Sequence, residues 1–321
     1  MNNLEQLSLL MIYAAMVTYA VSLISFSIDI SSLRARRDES GAVIKRSKRA
    51  ATQAEGGADG DTLVESLPEQ TTSDEIPRGK AIGIAMATLW LALVFHVIGV
   101  VLRGVAAGHV PWSNLYELTI TVTAVIVGLY LWLDRKHSLR FIGVLVTLPM
   151  LLALGVAVRI FYRAVEGIAP ILESVWLVIH VATAIGAIAV FAISALLAVL
   201  QLVVSTGWAS QNRILNHLPG ADLLERVSYR FTAVGFVLWT FTLVAGAIWA
   251  NDAWSRPWGW DPKEVWTFVI WVIYAAYLHA RATRGWDGRR AAILVLIGFA
   301  AVIANMTIVN YLLDTQHGYA G

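Results

Sequence analysis

Residues 174–204 read "SVWLVIHVATAIGAIAVFAISALLAVLQLVV", with no Asp, Glu, Lys or Arg at any position. A helix rising about 1.5 Å per residue crosses a bilayer core of roughly 30 Å in about 20 residues, so this run spans a membrane with length left for tilting or projecting. Further apolar runs of spanning length lie on either side of it, at about 8–30, 81–102, 116–133, 141–158, 231–250, 262–281 and 291–312. The run at 141–158 is the weakest of them, with Pro149 inside it and Arg159 just beyond. The chain of 321 residues is 58% hydrophobic and 14% charged, with a mean hydropathy of +0.66; soluble domains carry about 25% charged residues. The expected fold is an all-α polytopic integral membrane protein of about eight transmembrane helices. The first run is too long for a signal-peptide core and no basic segment precedes it, which reads as a retained anchor.

Charge placement gives the expected orientation. If the N-terminus faces outward and the spans alternate, the inner loops hold 19 of the 24 Lys and Arg residues, and the outer side keeps Arg103, Arg159, Arg163, Arg256 and Lys263. The positive-inside rule then places both termini on the outer face. The organisation expected is a first anchor at 1–30, a cytoplasmic linker at 31–80 and a main transmembrane domain at 81–321 that includes an outer loop at about 249–266. The linker starts basic ("RARRDESGAVIKRSKR") and turns acidic and Gly/Ser/Thr-rich, a composition expected to be disordered, with its basic half near anionic lipid. There are no cysteines, which excludes dithiol exchange, Cys-ligated metals and a C-x-x-C-H haem attachment site in this chain. There is also no Ser/His/Asp set and no phosphate-binding glycine loop.

The outer loop carries the least expected chemistry. "WSRPWGWDPKEVW", 254–266, concentrates tryptophan, and Trp249, Trp254, Trp258, Trp260, Trp266 and Trp271 account for six of the chain's 13. Asp261 at the N-cap, Pro262 at N1 and Glu264 at N3 are explained as a helix start, and Asn114 with Glu117 has the spacing of a capping box. An interfacial aromatic belt accounts for Trp249 and Trp266 at helix ends. It does not account for Trp254, Trp258 and Trp260 inside one short connection. Those three suit a flat aromatic platform for a large planar ligand, with Arg256 and Lys263 available to its anionic groups.

The histidines narrow the ligand. His180 lies in the fifth span near its outer end, His317 in the outer tail "NYLLDTQHGYAG", His96 in the second span, His109 in an outer loop, and His279 about 26 Å along its helix from Pro262, near the inner face. An intramembrane histidine is a functional hypothesis in its own right. Each taken singly reads as a hydrogen-bonded packing residue before it reads as a ligand. His180 and His317, both outward and flanking the tryptophan loop, suit a planar ligand with a metal at its centre and two axial imidazoles, which is haem. A bare zinc site is disfavoured, because no His, Asp and Glu cluster has ligand spacing.

The stretch "AIWANDAWSRPWGWDPKEVWTFVIWVIYAAYLHARATRGW", 247–286, resembles the tryptophan-rich WWD signature of System II cytochrome c biogenesis proteins of the CcsA/ResC type, also called CcsB in some bacteria. "GHVPWSNLYE" (108–117), "ESVWLVIHV" (173–181) and "VNYLLDTQHGYA" (309–320) share in it, so the resemblance covers roughly residues 80 to 320. It implies a haem-handling subunit, the haem lyase of a two-protein cytochrome c synthase complex in the bacterial plasma membrane. The function expected is to bind haem b, present it at the outer face and promote its thioether attachment to C-x-x-C-H apocytochromes. By that resemblance His180 and His317 match the two external iron ligands, and His279 matches a transmembrane ligand whose companion belongs to a CcsB/ResB-type partner subunit. Trp254, Trp258, Trp260, Asp261, Trp266, Arg256 and Lys263 belong to the expected haem-binding loop, with His96 and His109 as helpers. Apocytochrome c and thiol-reducing proteins are the other partners implied; nucleic acid is not one. Ser255 and Pro257 depart from the family's usual glycine and aromatic, and "DTQ" before His317 departs from its usual small residues, which bears on the pose of the ligand. Two other classes stay open: a haem exporter or carrier without attachment chemistry, and a b-type haem electron-transfer subunit, which would need histidines paired at two depths. A transporter of another solute would need paired helix breaks, and only Pro149 suggests one.

Overall fold

The computed structural model describes residues 3–55, 80–137, 139–165, 167, 173–206, 218–313 and 315, and they are helical with connecting turns. In chain order the helices are α1 (Asn3–Glu55), α2 (Lys80–Ala107), α3 (Leu115–His137), α4 (Gly143–Val156), α5 (Val175–Ser205), α6 (Ala221–Trp254), α7 (Pro262–Arg284), α8 (Gly288–Met306) and the short α9 (Ile308–Leu312). Among the described residues eight helical segments are long and apolar enough to cross a membrane, and each falls on one of the runs expected from the sequence. The chain is a multi-pass membrane protein.

Details at the helix ends differ from the apolar runs, because a helix continues until its backbone or a cap stops it. Pro149 is held inside α4, and the final turn widens to a π-type turn over Ala157–Phe161. The eighth run is broken at Thr307, where φ −111° and ψ −70° separate α8 from α9. The polar segment expected as a linker over 31–80 is helical to Glu55, since its Ala, Arg, Lys and Glu are good helix formers and the first glycine pair comes only at 56–57. The rest of that expectation, over 56–79, lies outside the described residues.

Two polar clusters show that successive spans run in opposite directions. At one end Arg103 Nε donates to Glu117 Oε1 at 2.8 Å, Nη2 donates to the Arg163 carbonyl at 2.9 Å, and Nη1 reaches Glu5 Oε1 at 3.5 Å. Tyr162 donates to the same Glu5 oxygen at 2.9 Å, and burial together with that bond pushes its hydroxyl up to about 12. This joins the start of α1, the end of α2, the start of α3 and the segment after α4. At the other end Glu225 pairs with Arg281 and accepts from Gln201 Nε2 and the Gly288 N–H, both at 2.9 Å. That joins the end of α5, the start of α6, the end of α7 and the start of α8. Buried carboxylates require such partners.

Helices α3 and α5 are central, with 67% of each span buried, against 17% for α7. Ser194 of α5 bonds to Ser228 and Thr232 of α6, at 2.9 and 2.6 Å. Next to that knot, Phe191 stacks on Tyr274 with centroids 3.9 Å apart. Glycines close the stack on both sides: a Cβ at Gly235 would lie 2.6 Å from the Phe191 ring, and one at Gly298 2.7 Å from Tyr274. Gly298→Ala is therefore expected to lower the thermal midpoint in detergent, by overpacking worth about 1–3 kcal/mol. Gly83→Ala, where a Cβ meets nothing within 4 Å, is the matched control and should leave the midpoint unchanged or slightly raised.

Candidate functional site

At the end of the bundle where α6 passes into α7, the backbone builds the site before any side chain acts. Helix α6 ends at Trp254 with Ser255 in the left-handed region, φ 53°, and Trp260 takes φ 61°. Residues other than glycine seldom adopt that conformation, so the connection is held by specific bonds. Asp261 caps α7 by accepting the Lys263 N–H at 3.1 Å, and Glu264 Oε2 accepts the N–H groups of Gly259 and Asp261 at 2.7 and 3.1 Å. With Pro262 at the first helical position, this is the capping box expected from "WDPKE".

Beneath the loop, His180 stands in the first turns of α5 against α6. Its Nδ1–H donates to the Thr242 carbonyl at 2.9 Å. A carbonyl only accepts, so this bond assigns a proton to Nδ1, and in the neutral imidazole Nε2 is then the lone-pair nitrogen. The ring sits in a gap left by Gly246, one turn on: a Cβ there would fall 2.7 Å from Cε1 and 2.8 Å from Nδ1. His180 lines a cavity of about 110 Å³ together with Trp112, Trp239, Trp258, Lys263 and Asn305. A second cavity of about 310 Å³ is lined by His109, Ser113, Glu173 and Ser174, and Trp112 and Val181 line both.

The tryptophans are not one flat platform. Trp258 lines the cavity. Trp260 meets it edge-on at 86° and is 77% exposed. Trp254 turns inward to meet Trp249 at 69°, and Trp266 packs on the core. Edge-to-face contact satisfies the ring quadrupoles better than a sandwich does, which is a local reason for the tilt. From Trp258 the aromatic contacts continue to Phe268 and on to Trp271.

The cations are also placed differently from the expectation of an open anion-binding pair. Lys263 Nζ donates to the Asn305 carbonyl at 2.9 Å and to Asn310 Oδ1 at 2.5 Å, bridging the break between α8 and α9. Arg256 lies over Trp254, 5.9 Å from the ring centroid, with its guanidinium in the space a Cβ at Gly259 would take.

The remaining histidines are dispersed. His109 Nδ1–H donates to the Val110 carbonyl at 3.0 Å on the wall of the second cavity. His96 is fully buried between α1 and α2, where Nδ1 meets the Tyr19 hydroxyl at 3.2 Å, and it lines neither cavity. His279 is exposed near the far end of α7. His317 lies outside the described residues. Among the described residues no group of three His, Cys, Asp or Glu is placed to hold a bare metal ion.

Trp112, Trp239, Thr242, Gly246 and Asn305 belong to the site and were not singled out in the sequence. Trp112 could have been, because it lies in "GHVPWSNLYE". Thr242 and Gly246 carry no local signal of chemistry, and only their spacing of one helical turn puts them on a common face.

The model of the family described as "Cytochrome C assembly protein" matches residues 112–317. The chain is 34% identical over 264 residues to the cytochrome c biogenesis protein CcsA of Prochlorococcus marinus, covering 74% of this chain and 82% of that one. It is 30% identical over 259 residues to the protein of the same name from Trieres chinensis, covering 71% and 82%. Among solved structures, one titled "Cytochrome c Heme Lyase CcmF" superposes with a TM-score of 0.63 at 14% identity, over 98% of this chain and 48% of that one. That likeness is one of fold, and this chain spans about half the length of that structure.

Proposed function

Because the chain belongs to the cytochrome C assembly protein family, and so has a role in cytochrome c maturation, we propose that it binds haem b at the tryptophan end of the bundle and presents it for attachment. That end faces outward from a bacterial plasma membrane, and the attachment is thioether formation to C-x-x-C-H apocytochromes. The observation that carries this reading is His180, whose Nδ1–H bond to the Thr242 carbonyl leaves Nε2 as the nitrogen able to hold iron. A metal-bound imidazole characteristically gives its other N–H to a carbonyl or carboxylate. The cavity beside it has aromatic walls in Trp112, Trp239 and Trp258, and such walls suit a planar apolar ring.

In this reading the chain's residues position and the substrates supply the bonds. His180 would ligate the haem iron, and His317 of the C-terminal tail is the second candidate ligand. Trp258 and Trp112 limit rotation of the ring, and Trp260 covers the loop's outer surface. Each thiol S–H adds across a haem vinyl group with no atom lost, so the requirement on the protein is largely orientation. His279 is the inner ligand, its companion supplied by a CcsB/ResB-type subunit. In support, His279 shares the exposed face of α7 with Phe268, Val272 and Ala276, a face that leads back to Trp258.

The test is to purify the chain with its partner subunit and a C-x-x-C-H apocytochrome, then record visible spectra and assay haem that survives denaturation on the apocytochrome. A bis-imidazole spectrum with covalent product is expected, and His279→Ala should lower haem loading of the outer site. Bound haem without covalent product would favour the exporter or carrier. No bound haem in the folded complex would overturn the reading.

A further inference from the structure

Two of the residues lining the His180 cavity, Asn305 and Glu264, each carry a buried side-chain oxygen with no hydrogen-bond donor: Asn305 Oδ1 and Glu264 Oε1. Asn305 is only 2% exposed. The way its amide faces follows from its neighbour. Thr267 Oγ1 donates its one proton to the Lys263 carbonyl at 2.6 Å, so it can only accept from Asn305, and Nδ2 is the atom that reaches it, at 3.5 Å. Oδ1 is therefore the amide atom left without a partner. Glu264 uses Oε2 on the Gly259 and Asp261 N–H groups, which leaves Oε1. Lys263 Nζ is directed to the Asn305 carbonyl and Asn310 Oδ1. Folded proteins seldom keep a buried acceptor without a donor, and here two belong to residues that line one cavity with the His180 imidazole.

The missing partner is a hydrogen-bond donor, and the haem reading above, on which this rests, names one. An imidazole bound to iron through one nitrogen carries its proton on the other and needs an acceptor for it. His180 has the Thr242 carbonyl. We propose that Asn305 Oδ1, with Glu264 Oε1 as its companion, receives the N–H of the second axial imidazole. Asn305 is then a positioning residue: it acts on the iron through the ligand it orients. The imidazole has two possible sources, the chain's own tail and the histidine of an apocytochrome C-x-x-C-H motif, and the acceptor serves either.

The test compares imidazole with 1-methylimidazole, which binds iron equally through one nitrogen but has no N–H. Each is titrated spectroscopically into the haem-loaded full chain carrying His317→Ala. Imidazole should bind about tenfold tighter than its methyl analogue, as one hydrogen bond's worth of affinity implies. The preference should disappear when Asn305→Leu is added and persist with Asn305→Asp, which keeps an acceptor. A preference unaffected by Asn305→Leu, or none to begin with, would show that these acceptors take no imidazole N–H and would overturn the proposal.

If His317→Ala takes up too little haem, the chain with His317 intact answers the same question through its iron midpoint potential. Asn305→Asp should lower the potential by strengthening the ligand as a donor, and Asn305→Leu should raise it; potentials unmoved by either change would count against the proposal. The source is distinguished by adding a short C-x-x-C-H peptide to the His317→Ala chain. Dependence of its binding on Asn305 assigns the acceptor to the substrate, and dependence seen only with His317 present assigns it to the tail. A wild-type chain that binds no haem is a separate result, because it removes the haem reading itself.

Discussion

Gly246→Ala is expected to strip haem from the purified chain about as thoroughly as His180→Ala does, although it removes no candidate ligand. The new methyl group would lie 2.7 Å from His180 Cε1 and 2.8 Å from Nδ1, closer than side chains tolerate. The imidazole must leave its seat, and with it goes the bond from Nδ1–H to the Thr242 carbonyl that fixes which nitrogen faces the iron. Disturbing the outer-shell partner of a metal ligand typically costs 10–100-fold in affinity, so haem per chain, read from the visible spectrum, should fall at least about tenfold. The double variant separates this from general misfolding. In His180→Ala/Gly246→Ala the ring is gone and the methyl has room, so the thermal midpoint should recover most of what Gly246→Ala loses. Two independent defects would instead add. A Gly246→Ala chain with wild-type haem content would show that His180 is not the ligand held at this seat.

That close approach was not legible in the sequence, and the reason is separation. His180 and Thr242 are 62 positions apart, and a backbone carbonyl carries no side-chain signature. What was legible follows local rules. The bilayer demands about 20 apolar residues per span whatever surrounds them, so every span could be read, including the one containing Pro149. The helix start at Asp261, Pro262 and Glu264 could be read because a capping box is closed within four residues. At Asn114 the same motif is only half formed. Asn114 Oδ1 accepts the Glu117 N–H at 3.0 Å, but the Glu117 carboxylate turns to Ser113 and Arg103. A buried guanidinium from another helix outbids the reciprocal bond, and local spacing holds no sign of it.

The tryptophan loop was legible as a site and not as a shape. Density of an interfacial residue beyond what helix ends need points to a ligand. Ring tilt is decided by left-handed turns at Ser255 and Trp260 and by contacts such as Trp249 with Trp254, which residue counts do not specify. Lys263 was read as open to an anion because of its charge. In the fold its ammonium joins α8 to α9, donating to the Asn305 carbonyl near the end of α8 and to the Asn310 side-chain oxygen in α9; a cation is favoured at a helix C-terminus.

Arg103→Met is expected to be the most destabilising single change outside the cavity, and its effect should reach the cavity. Arg103 is 1% exposed, and its guanidinium is paired with Glu5 and Glu117, themselves only 3% and 1% exposed. Removing one partner of a buried pair strands the other charge and costs about 3–5 kcal/mol. Here two carboxylates lose their cation, and the faces of Tyr116 and Tyr162 lose one held 5.2 and 6.0 Å from their centroids. The route to the site runs through Glu117. Its Oε1 takes Arg103, while Oε2 takes both the N–H and the hydroxyl of Ser113, at 3.1 and 2.8 Å. Ser113 follows Trp112, which with Val181 lines both cavities. The thermal midpoint should therefore fall sharply, and any haem retained should show a shifted visible band, with His180 untouched. Adding Glu5→Gln and Glu117→Gln removes the stranded charges and should restore a large part of the midpoint. It should not restore the band, because a neutral amide without Arg103 holds Ser113 less firmly. If Arg103→Met melts like the wild type, the cluster is not a structural clasp; if the triple variant recovers the band as well, Trp112 is positioned by something other than Glu117.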